Sequence, residues 1–141
     1  MDTKKRILEA IDTLNGIPYI NSGGCGISAL ALARYIHKDN PNIKLKFGFM
    51  GDYGKDENGN RDAPCHVVLM WNGHRIDTEG IDSPLSYVWY LSETVSESDL
   101  VASLANVGSW NSSFDREREL PVIAERLGID LSDVPCQNPH W

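Results

Sequence analysis

Residues 66–77 read HVVLMWNGHRID, and Asn72-Gly73 in the middle of this stretch is the dipeptide that most favours a two-residue hairpin turn. If those two residues make the turn, Trp71 faces His74, Met70 faces Arg75, Leu69 faces Ile76, Val68 faces Asp77 and His66 faces Glu79. Side chains alternate faces along a strand, so His66, Val68, Met70, Arg75, Asp77 and Glu79 share one face. His66 is then a diagonal neighbour of Asp77, roughly 7–8 Å away between α-carbons, within reach of an imidazole and a carboxylate. Glu79, directly opposite His66, competes for the same ring. A slip of one residue on one strand would send His66 and Asp77 to opposite faces.

Upstream, Ser22-Gly23-Gly24 leads into Cys25 and the stretch GISALALARYIH, which is apolar, alanine-rich and helical to about His37. A helix with so little polar surface is central and buried. Cys25 opens it. There the unpaired backbone N–H groups and the helix dipole favour negative charge, which lowers the pKa of a thiol. The same N–H groups can hold a developing oxyanion, and glycines beside the thiol let a substrate backbone approach. The plain alternative is a small buried cysteine at a helix start. For His66 it is a structural histidine inside the sheet, and for Asp77 a carboxylate near the turn paired with Arg75. The hairpin register, by joining His66 to Asp77, favours a Cys25–His66–Asp77 triad.

The remaining elements frame these. Thr3 to Asn15 carries Ile7, Leu8, Ile11 and Leu14 on one stripe, with Asp2 or Thr3 as the cap, and Gly16 and Pro18 ending the helix. Ile43, Leu45, Phe47 and Phe49 alternate with Lys44, Lys46, Gly48 and Met50, a strand with one buried face. Pro84 to Leu91 is aromatic-rich and fits helix or strand. Ser98 to Ala105 reads as a short capped helix, and Pro121 to Leu127 as another, with proline at its start and Gly128 as its stop. Helices followed by a hairpin give an α+β domain with a mainly antiparallel sheet.

A length of 141 residues suits one domain, and 41% hydrophobic content suits one compact core. The first 15 residues mix charge with apolar positions and read as a helix of the fold rather than a signal peptide, and there is no apolar run long enough to span a bilayer. The expectation is a cytoplasmic protein, although an effector exported by another route would look the same. Net charge is −7, with the acidic excess in residues 51–141, which disfavours nucleic acid as a partner. Solubility accounts for it equally well. Three cysteines without a secretion signal argue against a disulfide framework.

Other signals are weaker. Cys65 points away from His66 if both lie in the strand, which suits packing. Cys65, His66, Cys136 and His140 supply four zinc-ligand types, but adjacent ligands on one strand diverge. Asp56, Asn58, Asn60 and Asp62 alternate as in calcium loops, yet Arg61 stands where the turning glycine belongs and Val67 where the bidentate glutamate belongs. A polar loop beside the site is the better reading, and no metal or cofactor is expected. Tyr87, Trp89 and Tyr90 fit a substrate groove or the core. His37 suits the end of its helix, and His74 lies on the wrong face of the hairpin.

The stretch Gly24-Cys25-Gly-Ile-Ser-Ala29-Leu-Ala-Leu-Ala33-Arg34, a following strand at 43–49, and the histidine strand, turn and aspartate strand of 66–77 resemble the transglutaminase-like core of the papain-like cysteine enzymes. The resemblance covers about residues 16–80, and residues 81–141 would be a helical and aromatic extension of a single domain. It implies a cysteine hydrolase or acyltransferase acting on an amide or ester of a peptide, protein or small molecule. Cys25 would be the nucleophile, His66 the proton shuttle and Asp77 or Glu79 its orienter. Asn21 is the nearest amide for an oxyanion, beside Gly24 and the backbone N–H of Cys25. Gly26, where many transglutaminases have an aromatic residue, leaves water and amine acceptors both open. A protein-binding module on the same fold, with a structural Cys25, is the competing expectation, and a metal-stabilised module is the third.

Overall fold

A computed structural model describes residues 2–21, 24–50, 66–83, 91–105 and 113–135. Among them are four helices and five strands, in the order α1 (Thr3–Asn15), α2 (Cys25–Asp39), β1 (Leu45–Met50), β2 (His66–Trp71), β3 (His74–Asp77), β4 (Gly80–Ile81), β5 (Leu91–Val95), α3 (Glu97–Leu104) and α4 (Arg116–Leu127). The strands form one sheet in the order β4-β3-β2-β1-β5, and every pairing is antiparallel. The fold is α+β.

The hairpin forms in the expected register, with Trp71 opposite His74, Met70 opposite Arg75 and Leu69 opposite Ile76. Asn72 and Gly73 both take positive φ, 49° and 81°, as a type I′ turn requires. Two expected pairs, Val68 with Asp77 and His66 with Glu79, are not part of this ladder. β3 ends at Asp77, the chain turns through Thr78 and Glu79, and Gly80 comes back opposite Asp77 in β4. Glu79 therefore sits exposed on a second turn instead of facing His66.

α2 is enclosed on nearly all sides. Gly26 through Ala33 and Ile36 are buried, because the helix packs on β2 and β3 and is flanked by α1, α3 and α4. Val67, Leu69, Ile76, Phe47 and Phe49 of the sheet join Ile27, Leu30 and Leu32 of α2 in one core with Ile7, Leu14, Leu100 and Ile123 of the other helices. β1 is inside the sheet, and Phe47 to Met50 are all buried, where a single buried face was expected. β2 and β5 pair with it along its two edges. The strand also starts later than the alternation suggested. The Ile43 carbonyl is taken by His37 Nε2 at 2.9 Å, and its N–H by Asn40 O at 3.3 Å. His37 thus ties down the loop after the helix.

Residues 96–105 and 113–135 buttress α2. Arg34 grips both carboxylate oxygens of Asp133, at 2.6 and 2.7 Å, and the carbonyl of Asp130 at 2.8 Å. Lys38 Nζ donates to the last carbonyl of α4, Leu127 O, at 2.9 Å. Ser96 and Asp99 form a capping box that starts α3. α4 begins at Arg116, five residues before the expected start at Pro121, because Asp115 caps it through the Arg118 N–H. Pro121 is inside the helix and forfeits one backbone bond, and Gly128 closes it in the left-handed region at φ 64°. Arg116, 2% exposed, donates to Leu104 O at 2.7 Å and so ties α4 to α3.

The stretch 84–90, Cys65, the polar loop 51–64, Cys136 and His140 lie outside the described residues. The readings placed on them, including Tyr87, Trp89 and Tyr90, rest on sequence alone. Replacing Gly73 by alanine puts a β-carbon at φ 81° in open space, so strain is its only effect. A loss of roughly 1–2 kcal/mol in urea unfolding is expected, with an unchanged slope on denaturant. A neutral Gly73→Ala substitution would contradict the turn.

Candidate active site

His66 is the first residue of β2 and Asp77 the last of β3, so the two stand at the end of the hairpin away from its turn. His66 Nε2 donates to Asp77 Oδ2 at 3.0 Å. The other carboxylate oxygen of Asp77 accepts from the Glu79 backbone N–H at 2.9 Å. The carboxylate orienting the ring is thus that of Asp77. Glu79 contributes its main chain.

With Nε2 bonded to Asp77, Nδ1 is the ring nitrogen left for another partner. The sulfur of Cys25, at the first residue of α2, lies close enough to His66 to act on the ring electrostatically. Burial lowers the pKa of His66, but the hydrogen bond to Asp77 and the interaction with Cys25, with the charges of both, outweigh it and raise the value from 6.5 to about 9. Asp77 is 7% exposed. Burial pushes its carboxyl up, while the bonds from His66 and the Glu79 N–H, together with the charges of His66 and Arg75, hold it below the usual carboxylate value. Arg75 adds charge only. Its guanidinium donates to the Ser83 carbonyl and its backbone N–H to Asp82.

Cys25 is a half-buried free thiol. The N-cap of its helix is Gly24, and no side chain caps the first turn. Gly24 has a steric cause. A β-carbon there would stand 2.4 Å from the carbonyl oxygen of Ile20, so the space expected for a substrate backbone is taken by the chain itself. Gly24 O accepts from the Ser28 N–H at 2.8 Å and from Ser28 Oγ at 3.0 Å. Both are bonds of the helix's own first turn.

Asn21 lies in the loop before the helix, and its Oδ1 accepts from the hydroxyl of Thr78. Thr78, which sequence reasoning passed over, is 5% exposed, and its carbonyl accepts from Asn15 Nδ2 at 2.8 Å. Its place beside Asp77 was the one available signal. His74 pairs with Asp82, Nδ1 to Oδ2 at 2.6 Å, beside the hairpin turn and away from His66 and Asp77.

A cleft of about 600 Å³ lies near the other end of α2, against residues 128–133. None of Cys25, His66 and Asp77 lines it, and its Arg34 and Asp133 are already paired. Among the described residues, no group of three or more His, Cys, Asp or Glu side chains is placed to hold a metal ion, and no helix is long and apolar enough to cross a membrane. Compared with protein-family models, curated proteins and solved structures, the chain matches none.

The paired titrations set a pH dependence. His66 holds its proton more tightly folded than unfolded, so its contribution to stability is complete below pH 6.5 and is lost as pH rises through about 9. Asp77, shifted down from 3.8, contributes above that value and loses its contribution as pH falls through the lower, folded one. The stability advantage of the native chain over a His66→Gln variant, measured by urea unfolding, should shrink between pH 6.5 and about 9. A constant difference would show that the folded chain does not favour the imidazolium.

Proposed function

We propose that the protein is a papain-like, transglutaminase-like cysteine hydrolase or acyltransferase acting on an amide or ester bond. The observation that carries this reading is the convergence of Cys25, His66 and Asp77, from three separate elements, at the uncapped start of a buried helix. A reactive thiol is preserved in reducing surroundings, so we infer a cytoplasmic protein whose substrate is a peptide, protein or small amide.

In the reaction, the Cys25 thiolate attacks the carbonyl carbon, forming the C–S bond and moving the π pair onto oxygen. The backbone N–H of Cys25 stabilises that oxyanion. When the C–N or C–O bond breaks, its electron pair leaves with the amine or alcohol, which takes the proton from His66. A pKa of about 9 keeps His66 protonated at neutral pH, ready as this acid. In the thioester the sulfur no longer carries charge, so part of what raised the imidazole is gone. Its pKa falls toward neutrality, and it becomes a base for the incoming water or amine. Asp77 holds the ring throughout.

Alkylation of Cys25 by iodoacetamide, followed across pH by peptide mass analysis, tests the reading. At neutral pH the native thiol should react faster than a free cysteine peptide run in parallel. In His66→Ala, alkylation at neutral pH should be at least ~10-fold slower. A native thiol that reacts like free cysteine would favour the binding module instead. The mass of any acyl adduct left on Cys25 by cell extract would identify the substrate class.

A further inference from the structure

The turn that ends β3 holds two functional groups through two successive residues. Asp77 fixes His66, and Thr78 donates its hydroxyl to Asn21 Oδ1. An amide whose oxygen is engaged keeps its N–H₂ turned the other way. Among the described residues nothing accepts from Asn21 Nδ2, and Asn21 itself is exposed. Asn21 directly follows Ile20, whose carbonyl oxygen packs on Gly24, the residue before Cys25. Asn21 and Cys25 therefore each adjoin, along the chain, one partner of that backbone contact. Thr78 itself has little freedom, being buried and bonded through its carbonyl to Asn15 Nδ2 at 2.8 Å.

The geometry points to Thr78 as a positioning residue that locks the Asn21 amide with its N–H groups toward the carbonyl oxygen of a substrate on Cys25. This rests on the nucleophilic role of Cys25, and deepens it by making Asn21 the second oxyanion donor and Thr78 the group that aims it. A freely rotating amide would present its oxygen to the oxyanion as readily as its N–H. The hydroxyl removes that alternative before the substrate arrives, so no reorganisation accompanies bond formation.

Two probes separate the steps. p-Nitrophenyl acetate acylates the thiolate: the C–S bond forms, the C–O bond breaks, and p-nitrophenolate departs with the electron pair through a transition state bearing an oxyanion. Iodoacetamide transfers its methylene carbon to sulfur with loss of iodide, and no oxyanion develops. Thr78→Val keeps the shape and removes the hydroxyl. It should slow acylation by roughly 10- to 100-fold, while the pH profile of alkylation stays in place. Asn21→Ala should slow acylation at least as much. The double variant should be no slower than Asn21→Ala alone, since both changes remove one device. Thr78→Ser, which restores the donor, should recover acylation.

Acylation indifferent to Thr78→Val and Asn21→Ala, with alkylation of the native thiol still fast at neutral pH, would overturn this role while sparing the triad. Equal slowing of both probes in Thr78→Val, without rescue by serine, would reduce Thr78 to packing and overturn it too. A native thiol sluggish toward both probes would end the triad reading and this proposal together.

Discussion

A slip of a single residue between β2 and β3 would carry Asp77 to the face of the sheet opposite His66, and the turn at Asn72-Gly73 is what forbids it. With both residues at positive φ, the twist of the turn matches that of the strands, and only one pairing closes on it. The buried set formed by Val67, Leu69 and Ile76 enforces the same choice from the core side, because a slip would also expose that set. Local turn chemistry and long-range burial therefore select one register, and the bond between imidazole and carboxylate is its product. The short return strand β4 closes the far end. It turns the chain at Thr78-Glu79, so that a backbone N–H becomes the second ligand of the Asp77 carboxylate.

α2 meets the hairpin with a different economy of contacts. A helix buried along almost its whole length cannot move as a rod without disrupting the core, and it is gripped at its far end by Arg34 on Asp133 and by Lys38 on the last carbonyl of α4. The near end is left without a side-chain cap, and a serine, threonine or aspartate at Gly24 would collide with Ile20. The position that helices most often satisfy with an oxygen is occupied here by a glycine that close packing requires. The N–H groups of the first turn are thereby kept for something other than the chain's own side chains. Residues 96–105 and 113–135, which include none of Cys25, His66 and Asp77, contribute by holding this helix from behind.

Sequence legibility followed the range of the interaction. The stripe of Ile7, Ile11 and Leu14, the alanine-rich run after Cys25 and the Asn72-Gly73 turn are written in neighbouring residues, and each element formed where its period or its turn residue placed it. β4 is two residues long and has no period to read. β5 joins β1 through a pairing with a register shift between Phe49 and Met50, which no local pattern announces. The start of α4 was hidden because Pro121 imitates a first-turn proline, whereas the Asp115 cap decides the boundary. At the site, the pairing of His66 with Asp77 was legible because register converts spacing into proximity. The bond from Thr78 to Asn21 spans 57 residues of chain and involves two residue types that are unremarkable singly, so only the fold reveals it. Glu79 misled for a related reason. The alternation assigned it a face, but the strand stopped two residues before it.

The carboxylate of Asp77 shows why the orienting group is fixed. A carboxylate bonded through one oxygen can rotate and release its partner, and the imidazole would then sample other orientations. Here Oδ2 holds His66 while Oδ1 holds the Glu79 N–H, so rotation of the group would break both bonds in a site only 7% exposed, where water cannot readily replace them. The ring is fixed by a carboxylate that is itself fixed by the turn. Under the proposed chemistry this matters at the step where sulfur loses its charge, because the pull of Cys25 on His66 then disappears and the bond to Asp77 alone keeps Nδ1 aimed at the acyl group. Were the ring held chiefly by the sulfur, it would be free to drift when it has to activate the second nucleophile. With the anchor in the sheet, its orientation is independent of the state of the thiol.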